Sequence, residues 1–155
     1  MILTSGCFDR LHPGHVAFLQ KAAAHRKHAE KLRVLVDPAS YIRETKGRDP
    51  VQEDEARVKA LLALACVDEA TIRHDALADE IRTNPPRLFI KGIDWKDKPL
   101  PPDLAAALTE VGTRIVFVDS GSSVHTSDGV EVTPPKVPKP PAEPRQTRAR
   151  TTRKK

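Results

Sequence analysis

The residues best suited to chemistry lie near the start of the chain, in a short segment rich in glycine and histidine. Residues 6–15 read GCFDRLHPGH. Gly6 and Gly14 lack a Cβ, so the backbone can approach an anion closely at both positions. His12 and His15 are three residues apart across a Pro-Gly turn, so both imidazoles can converge on one phosphate group. The segment therefore predicts a phosphate-binding loop whose histidines stabilise charge on a transferred phosphoryl or nucleotidyl group.

The elements predicted around this segment favour the same interpretation. Ile2–Ser5 is a short apolar run typical of a buried strand, and residues 15–28 carry apolar side chains at helical spacing. Backbone amides at a helix N-terminus are unpaired and carry positive dipole, so a loop that enters a helix is an anion site. The alternative is that one histidine caps the helix and the other lies at the surface. We favour the phosphate role, because this combination of residues is hard to explain by packing.

The rest of the chain continues the alternation of strands and helices. Strands are predicted at Leu32–Val36, Glu69–Arg73, Leu88–Ile90 and Arg114–Val118, and helices at Asp54–Ala65, Ala76–Arg82 and Pro102–Val111. Regular alternation with short connections predicts an α/β domain with a doubly wound, five-stranded parallel sheet. Ligands of such sheets bind beyond the carboxyl ends of the strands, where the histidine segment would lie.

The last part of the chain differs from the rest in charge and in proline content. Residues 134–155 contain eight Lys or Arg residues against Glu143 alone, together with six of the fourteen prolines. The segment therefore has a formal charge of +7, whereas the whole chain has a net charge of +5. Residues 1–133 together therefore carry about −2. So little apolar surface cannot offset the entropy of ordering, and we predict a single domain over 1–133 followed by a disordered basic tail. The tail could contact nucleic acid or acidic partners weakly, or simply be solvated.

Cysteine content and hydropathy indicate a cytoplasmic protein. Cys7 and Cys66 are too few for a disulfide framework and lack metal-ligand spacing, as expected in a reducing compartment. The sequence shows neither a signal-peptide pattern nor an apolar run of eighteen residues, so secretion and membrane spanning are not expected.

Two groups of residues resemble a known family. Gly6-Cys7-Phe8-Asp9 followed by His12-Pro13-Gly14-His15 is similar to the signature of the cytidylyltransferase-like nucleotidyltransferases, which includes a His-x-Gly-His motif. Cys7 and the run Lys91-Gly92-Ile93-Asp94-Trp95 most resemble the adenylyltransferase domain of bacterial ADP-heptose synthases, while Asp94-Trp95 equally resembles glycerol-3-phosphate cytidylyltransferase. The resemblance covers roughly residues 2–128. It implies a Rossmann-like fold, often dimeric, and a divalent metal, usually Mg²⁺, bound with the triphosphate.

The resemblance also implies a reaction and roles for particular residues. A nucleoside monophosphate would be transferred from ATP or CTP to a phosphorylated sugar or polyol, with release of pyrophosphate. His12 and His15 would be catalytic, and Lys46 and Trp95 would bind the acceptor. The nucleotide would be bound by Gly6, Cys7, Phe8, Gly14, Arg57, Lys91, Gly92, Asp94, Gly121, Ser122, Ser123 and Thr126. No residue of the chain is predicted to be a dedicated metal ligand.

Several of these positions also have a structural interpretation. Lys46 is predicted to lie in a polar loop after the second strand, where Arg43 or Arg48 could take its role. Trp95 could cover the core, with Asp94 as a turn residue. Arg57 could instead form an ion pair with a neighbouring glutamate, either Glu53 or Glu55.

The segment after the fifth strand departs most from the family pattern. Residues 119–128 read DSGSSVHTSD, where the resembling heptose enzymes have a Gly-x-Ser-Thr-Thr loop. Gly121 and Ser123 match without a gap, and a short insertion aligns His125–Asp128 instead. The family's arginine is absent, and residues 129–132 are predicted to be extended rather than helical. This departure supports a second hypothesis, a nucleotide-binding protein that has lost turnover. An oxidoreductase is disfavoured because Gly-x-Gly-x-x-Gly does not follow the first strand.

Overall fold

A computed structural model describes residues 1–121 and, for the backbone alone, residues 130–132. The predicted tail over 134–155 lies outside the described residues. The elements, in chain order, are β1 (Ile2–Gly6), α1 (Pro13–Ala24), β2 (Leu32–Val36), α2 (Ala39–Lys46), α3 (Asp54–Leu62), β3 (Glu69–Ile72), α4 (Leu77–Thr83), β4 (Leu88–Gly92), a 3-10 turn (Ile93–Trp95), α5 (Pro102–Glu110), β5 (Arg114–Val118) and β6 (Val130–Val132). None of the described helices is both long enough and apolar enough to cross a bilayer.

The strands form one sheet in the order β3-β2-β1-β4-β5-β6. Strands β1 to β5 are parallel, which confirms the predicted five-stranded, Rossmann-like α/β sheet. β6 adds an antiparallel strand on β5, in the segment that the sequence predicts to be extended. The chain crosses from one side of β1 to the other between β3 and β4. This switch point leaves a crevice at the carboxyl end of β1, where such folds bind ligands.

The sheet is buried on both faces, which explains why its strands are nearly continuous apolar runs. Successive residues of a strand point to opposite faces, so Ile2 belongs to one apolar cluster and Leu3 to the other. The first cluster includes Leu19 of α1 and Leu61 of α3. The second is built with α4 and α5 and includes Leu108. Helices therefore cover both sides of a rigid sheet whose carboxyl edge positions the candidate site.

The prediction of a polar loop after β2 is wrong, because the segment forms helix α2. Lys46 is the last residue of that helix. Ile42 is the helix's only fully buried side chain, and this eight-residue, mostly polar segment has too few apolar residues to reveal a helix in the sequence. Gly47 ends the helix with a φ of 64°, a left-handed conformation that favours glycine. Lys46 is therefore held by the last turn of a helix.

Candidate functional site

The segment between β1 and α1 has an unusual backbone conformation. Phe8 and Arg10 have φ angles of 45° and 66°, and positive φ at residues other than glycine costs on the order of 1 kcal/mol or more. The Phe8 side chain is buried in the core below the loop. Its ring meets the ring of His15 edge-on, with centroids 5.5 Å apart. The buried packing of Phe8 thus offsets the backbone strain, and its ring supports the imidazole of His15.

Asp9 lies between the two strained residues and anchors the loop to the segment that precedes α3. Its carboxylate accepts hydrogen bonds from the backbone N–H groups of Val51 and Gln52, at 2.9 and 3.1 Å, and from the Arg48 guanidinium at 2.7 Å. Burial alone would raise the pKa of Asp9, but these hydrogen bonds outweigh it and lower the pKa to about 2. The loop is therefore held in place by a charged side chain to which the sequence analysis assigned no role.

We expect Asp9→Asn to destabilise the fold at neutral pH and to do so less in acid. The folded-state pKa of about 2 lies below the unfolded value of about 3.9, so the carboxylate's contribution is complete above about pH 5 and is lost as the pH falls toward 2. With allowance for solvent screening at Arg48, we expect a loss of about 1 to 2 kcal/mol at pH 7. Urea unfolding at pH 7, 4 and 2.5 measures the difference from wild type, which should shrink as the pH falls.

Asp49→Asn is the matched control, since Asp49 is mostly exposed and its one ion pair among the described residues is with Arg43. It should leave the free energy of unfolding nearly unchanged at all three pH values. A deficit in Asp9→Asn that stays constant with pH would contradict the anchoring role of the ionised carboxylate.

His12 and His15 are brought together at the start of α1. His12 is the N-cap residue, and its Nδ1 accepts a hydrogen bond from the Gly14 backbone N–H at 3.1 Å. A Cβ on Gly14 would lie 2.9 Å from Cε1 of His12, so this arrangement requires glycine. The two imidazoles stack with centroids 3.8 Å apart and planes inclined by 25°. Capping uses only Nδ1 of His12, so its Nε2–H remains available and the capping and phosphate roles are compatible. The catalytic role stays a prediction.

The environment of His15 favours its neutral form in the absence of an anion. Burial lowers the pKa of His15, and the neighbouring His12 lowers it further. In the described part of the chain, the buried Nδ1 of His15 has no hydrogen-bond partner. An anionic ligand would favour the protonated ring, because opposite charge stabilises the imidazolium. The pair can therefore respond to negative charge that develops beside it.

A cavity of about 280 Å³ opens beside the two histidines. It brings together most of the residues predicted to bind the nucleotide, from the loop after β1 and from the end of β4. The predicted residues that line it are Gly6, Cys7, Phe8, His12, Gly14, His15, Lys91, Gly92, Asp94 and Trp95. Ser120, which follows β5, completes the rim. The structure therefore gathers residues far apart in sequence around one opening at the switch point.

A second cavity, of about 590 Å³, adjoins the first. The two share the walls formed by Ser5, Gly6, Cys7, Lys91 and Trp95. The second cavity is also lined by Lys46, the residue predicted to bind the acceptor, and by apolar residues of α4 and of the segment leading into α5. The two predicted acceptor residues thus lie on one cavity, and the histidines lie on the other.

Lys46 is better placed than either of its predicted alternatives. Arg43 is paired with Asp49, and Arg48 with Asp9. Burial and the charge of Asp37 raise the pKa of the Cys7 thiol, whereas the nearby Lys46 lowers it. The Lys46 ammonium therefore lies close to the loop after β1, and it faces a cavity.

Three residues of the second cavity were missed by the sequence analysis. Arg73 donates from Nε and Nη2 to Oδ1 of Asp37, at 3.1 and 3.0 Å, and its guanidinium lies 5.0 Å from the centroid of the Tyr41 ring. A signal was available, because Asp37 and Arg73 directly follow the parallel strands β2 and β3 at the ligand-binding edge. They add an ion pair to the wall of the second cavity.

Arg57 is placed differently from the expected nucleotide contact. Its side chain is 0% exposed and lines neither of the two cavities. Nη1 donates to the backbone carbonyls of Cys7 and Asp37, at 2.6 and 2.7 Å, and Nη2 donates to Asp54 at 2.5 Å. Arg57 therefore links the ends of β1 and β2 to α3. It also supports the loop after β1 through the Cys7 carbonyl. The glutamates considered as alternative partners are not the ones used, since the paired carboxylate is that of Asp54.

The segment after β5 is described only at its start. The Gly121 backbone N–H donates to the Asp119 carboxylate at 2.7 Å, and the Lys21 ammonium donates to the Asp119 carbonyl at 2.8 Å. These contacts hold residues 119–121 close to α1, with Ser120 on the rim of the first cavity. The predicted residues Ser122, Ser123 and Thr126 lie outside the described part of the chain.

Comparisons with known proteins agree with the geometry. Residues 3–124 match the family model described as cytidylyltransferase-like. The chain is 34% identical to bifunctional protein HldE of Gluconobacter oxydans over 77% of its own length and 24% of the relative's. It is 35% identical to the HldE of Desulfatibacillum aliphaticivorans over 82% of its own length and 25% of the relative's. The chain thus spans about a quarter of the length of these relatives.

A solved structure shares the fold. The lipopolysaccharide core biosynthesis protein from Thermoplasma volcanium GSS1 superposes with a TM-score of 0.60, covering 76% of this chain and 90% of that one. The sequence identity is 23%, so the likeness concerns the fold alone.

Proposed function

Since this chain belongs to the cytidylyltransferase-like family of nucleotidyltransferases, we propose that it transfers a nucleoside monophosphate from ATP or CTP to a phosphorylated sugar or polyol. The observation that carries the proposal is the pair of adjoining cavities, with the stacked histidines on one and Lys46 on the other. The similarity to HldE proteins supports a sugar phosphate as the acceptor. Two substrates can then meet at the walls that the cavities share.

The proposed reaction is an in-line displacement at phosphorus. An oxygen of the acceptor phosphate attacks the α-phosphorus, the bond from that phosphorus to the bridging oxygen breaks, and the electron pair leaves with pyrophosphate. His12 and His15 would hold the oxygens of the transferred group from the first cavity. Lys46 would hold the acceptor phosphate in the second. Positioning and charge stabilisation supply most of the rate in such transfers.

The proposed Mg²⁺ would arrive with the triphosphate. Among the described residues, no group of three or more His, Cys, Asp or Glu side chains could hold a metal ion by itself. Mg²⁺ needs no such group in this setting, because it commonly binds through substrate phosphates, water and one or two carboxylates. Asp94 lines the first cavity and offers one carboxylate. The ion would neutralise charge on the triphosphate.

Pyrophosphate release tests the proposal. The full chain is assayed with each of the four nucleoside triphosphates, in the presence of Mg²⁺ and a panel of sugar and polyol phosphates. We expect release only when one particular triphosphate and one acceptor are present together. Tight triphosphate binding without release for any pair would support the binding-protein hypothesis instead.

We expect Lys46→Ala to raise the KM for the acceptor by about tenfold or more, which is the effect of losing a charged hydrogen bond. The affinity for the triphosphate should change little, because Lys46 lines only the second cavity. Initial rates at varied acceptor, together with a titration of the triphosphate, measure both quantities. Arg43→Ala is the matched control on the same helix, since Arg43 pairs with Asp49. Equal losses for both substrates would remove Lys46 from the acceptor site.

A further inference from the structure

Lys91 occupies an unusual position at the end of β4. Its side chain lines both cavities. The ammonium lies 4.7 Å from the centroid of the Trp95 ring and 5.6 Å from that of Phe89. In the part of the chain that the structure describes, this ammonium donates no hydrogen bond and forms no ion pair. Lys91 is thus a partly buried cation whose ammonium lies against two aromatic rings.

Lys98 shows how an ordinary lysine behaves beside the same ring. Its ammonium lies 5.2 Å from the Trp95 centroid, but the side chain is 57% exposed and is 3.7 Å from the Asp94 carboxylate. Lys91 is less exposed than Lys98, and among the described residues it has no carboxylate within ion-pair distance. Burial lowers the pKa of Lys91, and the charges of Asp37 and Asp94, neither within ion-pair distance, offset this only in part. The three N–H donors of Lys91 have no acceptor in the described part of the chain, so they are available to ligand oxygens in either cavity.

The position of Lys91 identifies the ligand atoms. Both cavities reach this residue, and the proposed reaction brings two anions together where the cavities meet: the α-phosphate of the nucleotide and the phosphate of the acceptor. These groups repel each other, and the repulsion is strong in a poorly solvated cleft. A single cation that contacts both would reduce it.

We propose that Lys91 is a catalytic residue that contacts both substrates, the α-phosphate from the first cavity and the attacking acceptor phosphate from the second. This inference rests on the proposed function. It extends the role of Lys91 beyond the nucleotide contact that the family resemblance implies. The ammonium remains protonated throughout, and the bonds that form and break are those of the displacement.

Separate binding measurements on Lys91→Met test the proposal. Methionine keeps the length and apolar stem of lysine and removes the charge. We expect the variant to bind the triphosphate about tenfold more weakly and to bind a sugar phosphate, measured without nucleotide, about tenfold more weakly as well. Turnover should fall by about a hundredfold or more. Lys98→Met, the matched control on the same ring, should stay within about twofold of wild type in all three quantities.

Trp95 gives a second measurement that needs no variant. It is the only tryptophan in the chain. A ligand that draws the Lys91 ammonium away from the indole face should change the fluorescence of Trp95. We expect the wild-type emission to change on titration with a triphosphate alone and with a sugar phosphate alone.

The outcomes separate this inference from the proposed function. Loss of triphosphate affinity with unchanged sugar phosphate affinity in Lys91→Met would overturn the shared contact. A lowered melting temperature with normal kinetic constants per folded molecule would overturn any contact with substrate. Absence of pyrophosphate release from the wild-type chain would overturn the proposed function, whereas the two titrations would still decide whether Lys91 binds both kinds of phosphate.

Discussion

His15→Ala is expected to lower turnover by on the order of a hundredfold or more and to leave the folded fraction nearly unchanged. Removing one preorganised donor to a developing charge typically costs roughly 3 kcal/mol of transition-state stabilisation. His15 is stacked on His12 and supported by the Phe8 ring, and its pKa is lowered by burial. These contacts fix the imidazole while leaving it able to gain charge. A histidine that only packs would show the opposite balance, with reduced stability and normal activity.

The measurement compares turnover, triphosphate affinity and thermal unfolding in several variants. His12→Ala should repeat the loss of turnover and should also cost about 1 kcal/mol of stability, because His12 caps α1. The double variant should lose less activity than the sum of the two single losses, since both groups act on one phosphate. His28→Ala is the control, because His28 is exposed and lies away from both cavities. Normal turnover per folded molecule in His15→Ala would rule out the catalytic assignment.

Arg57→Met is expected to destabilise the fold by about 2 to 4 kcal/mol, because two carbonyls lose a charged donor at about 1 to 3 kcal/mol each, while the remaining Asp54 carboxylate is 32% exposed. The guanidinium is fully buried, and it bonds the carbonyls at the ends of β1 and β2 as well as Asp54. Without it, the two partly buried carbonyls lose their charged donor, and methionine cannot replace it. The loop after β1 would also lose its support, so triphosphate affinity should fall together with stability.

Arg82 offers a demanding control. It forms ion pairs with the three carboxylates of Asp79, Asp103 and Glu110, which is more than Arg57 has, but its side chain is 31% exposed. Solvent screening makes such pairs weak, so Arg82→Met should lose far less stability than Arg57→Met. Urea unfolding of both variants gives the comparison. A similar loss in the two would mean that the number of ion pairs, rather than burial, sets their contribution.

The strands could be predicted from the sequence because each is a short apolar run buried on both faces. Leu32–Val36 and Arg114–Val118 have the predicted bounds in the structure. Helix α2 could not be found in the same way. The helix buries only Ile42, so its sequence contains too few apolar residues for the helix to be predicted from their spacing.

Some parts of the candidate site could likewise be predicted from the sequence, and others could not. The histidine loop is local, so its residue types and spacing could be read directly. The pair of Asp37 and Arg73 depends on the register of β2 and β3, in which Val36 lies opposite Ile72 and brings the next residues side by side. That register is a tertiary property. Arg57 illustrates a different limit: the sequence placed it on a helix, but whether its guanidinium met a phosphate or backbone carbonyls depended on the direction of the side chain.

The two ends of the sheet limit how copies of the chain could associate. In the described residues, the sheet ends at β3, with four residues, and at β6, with three. An unpaired edge can recruit a strand of another molecule, and short or charged edges discourage this. Neither edge offers more than a few hydrogen bonds, and Glu69 at the start of β3 already carries an ion pair with Lys31. Any association between copies of this chain would therefore involve helix surfaces rather than a sheet that continues from one copy into the next.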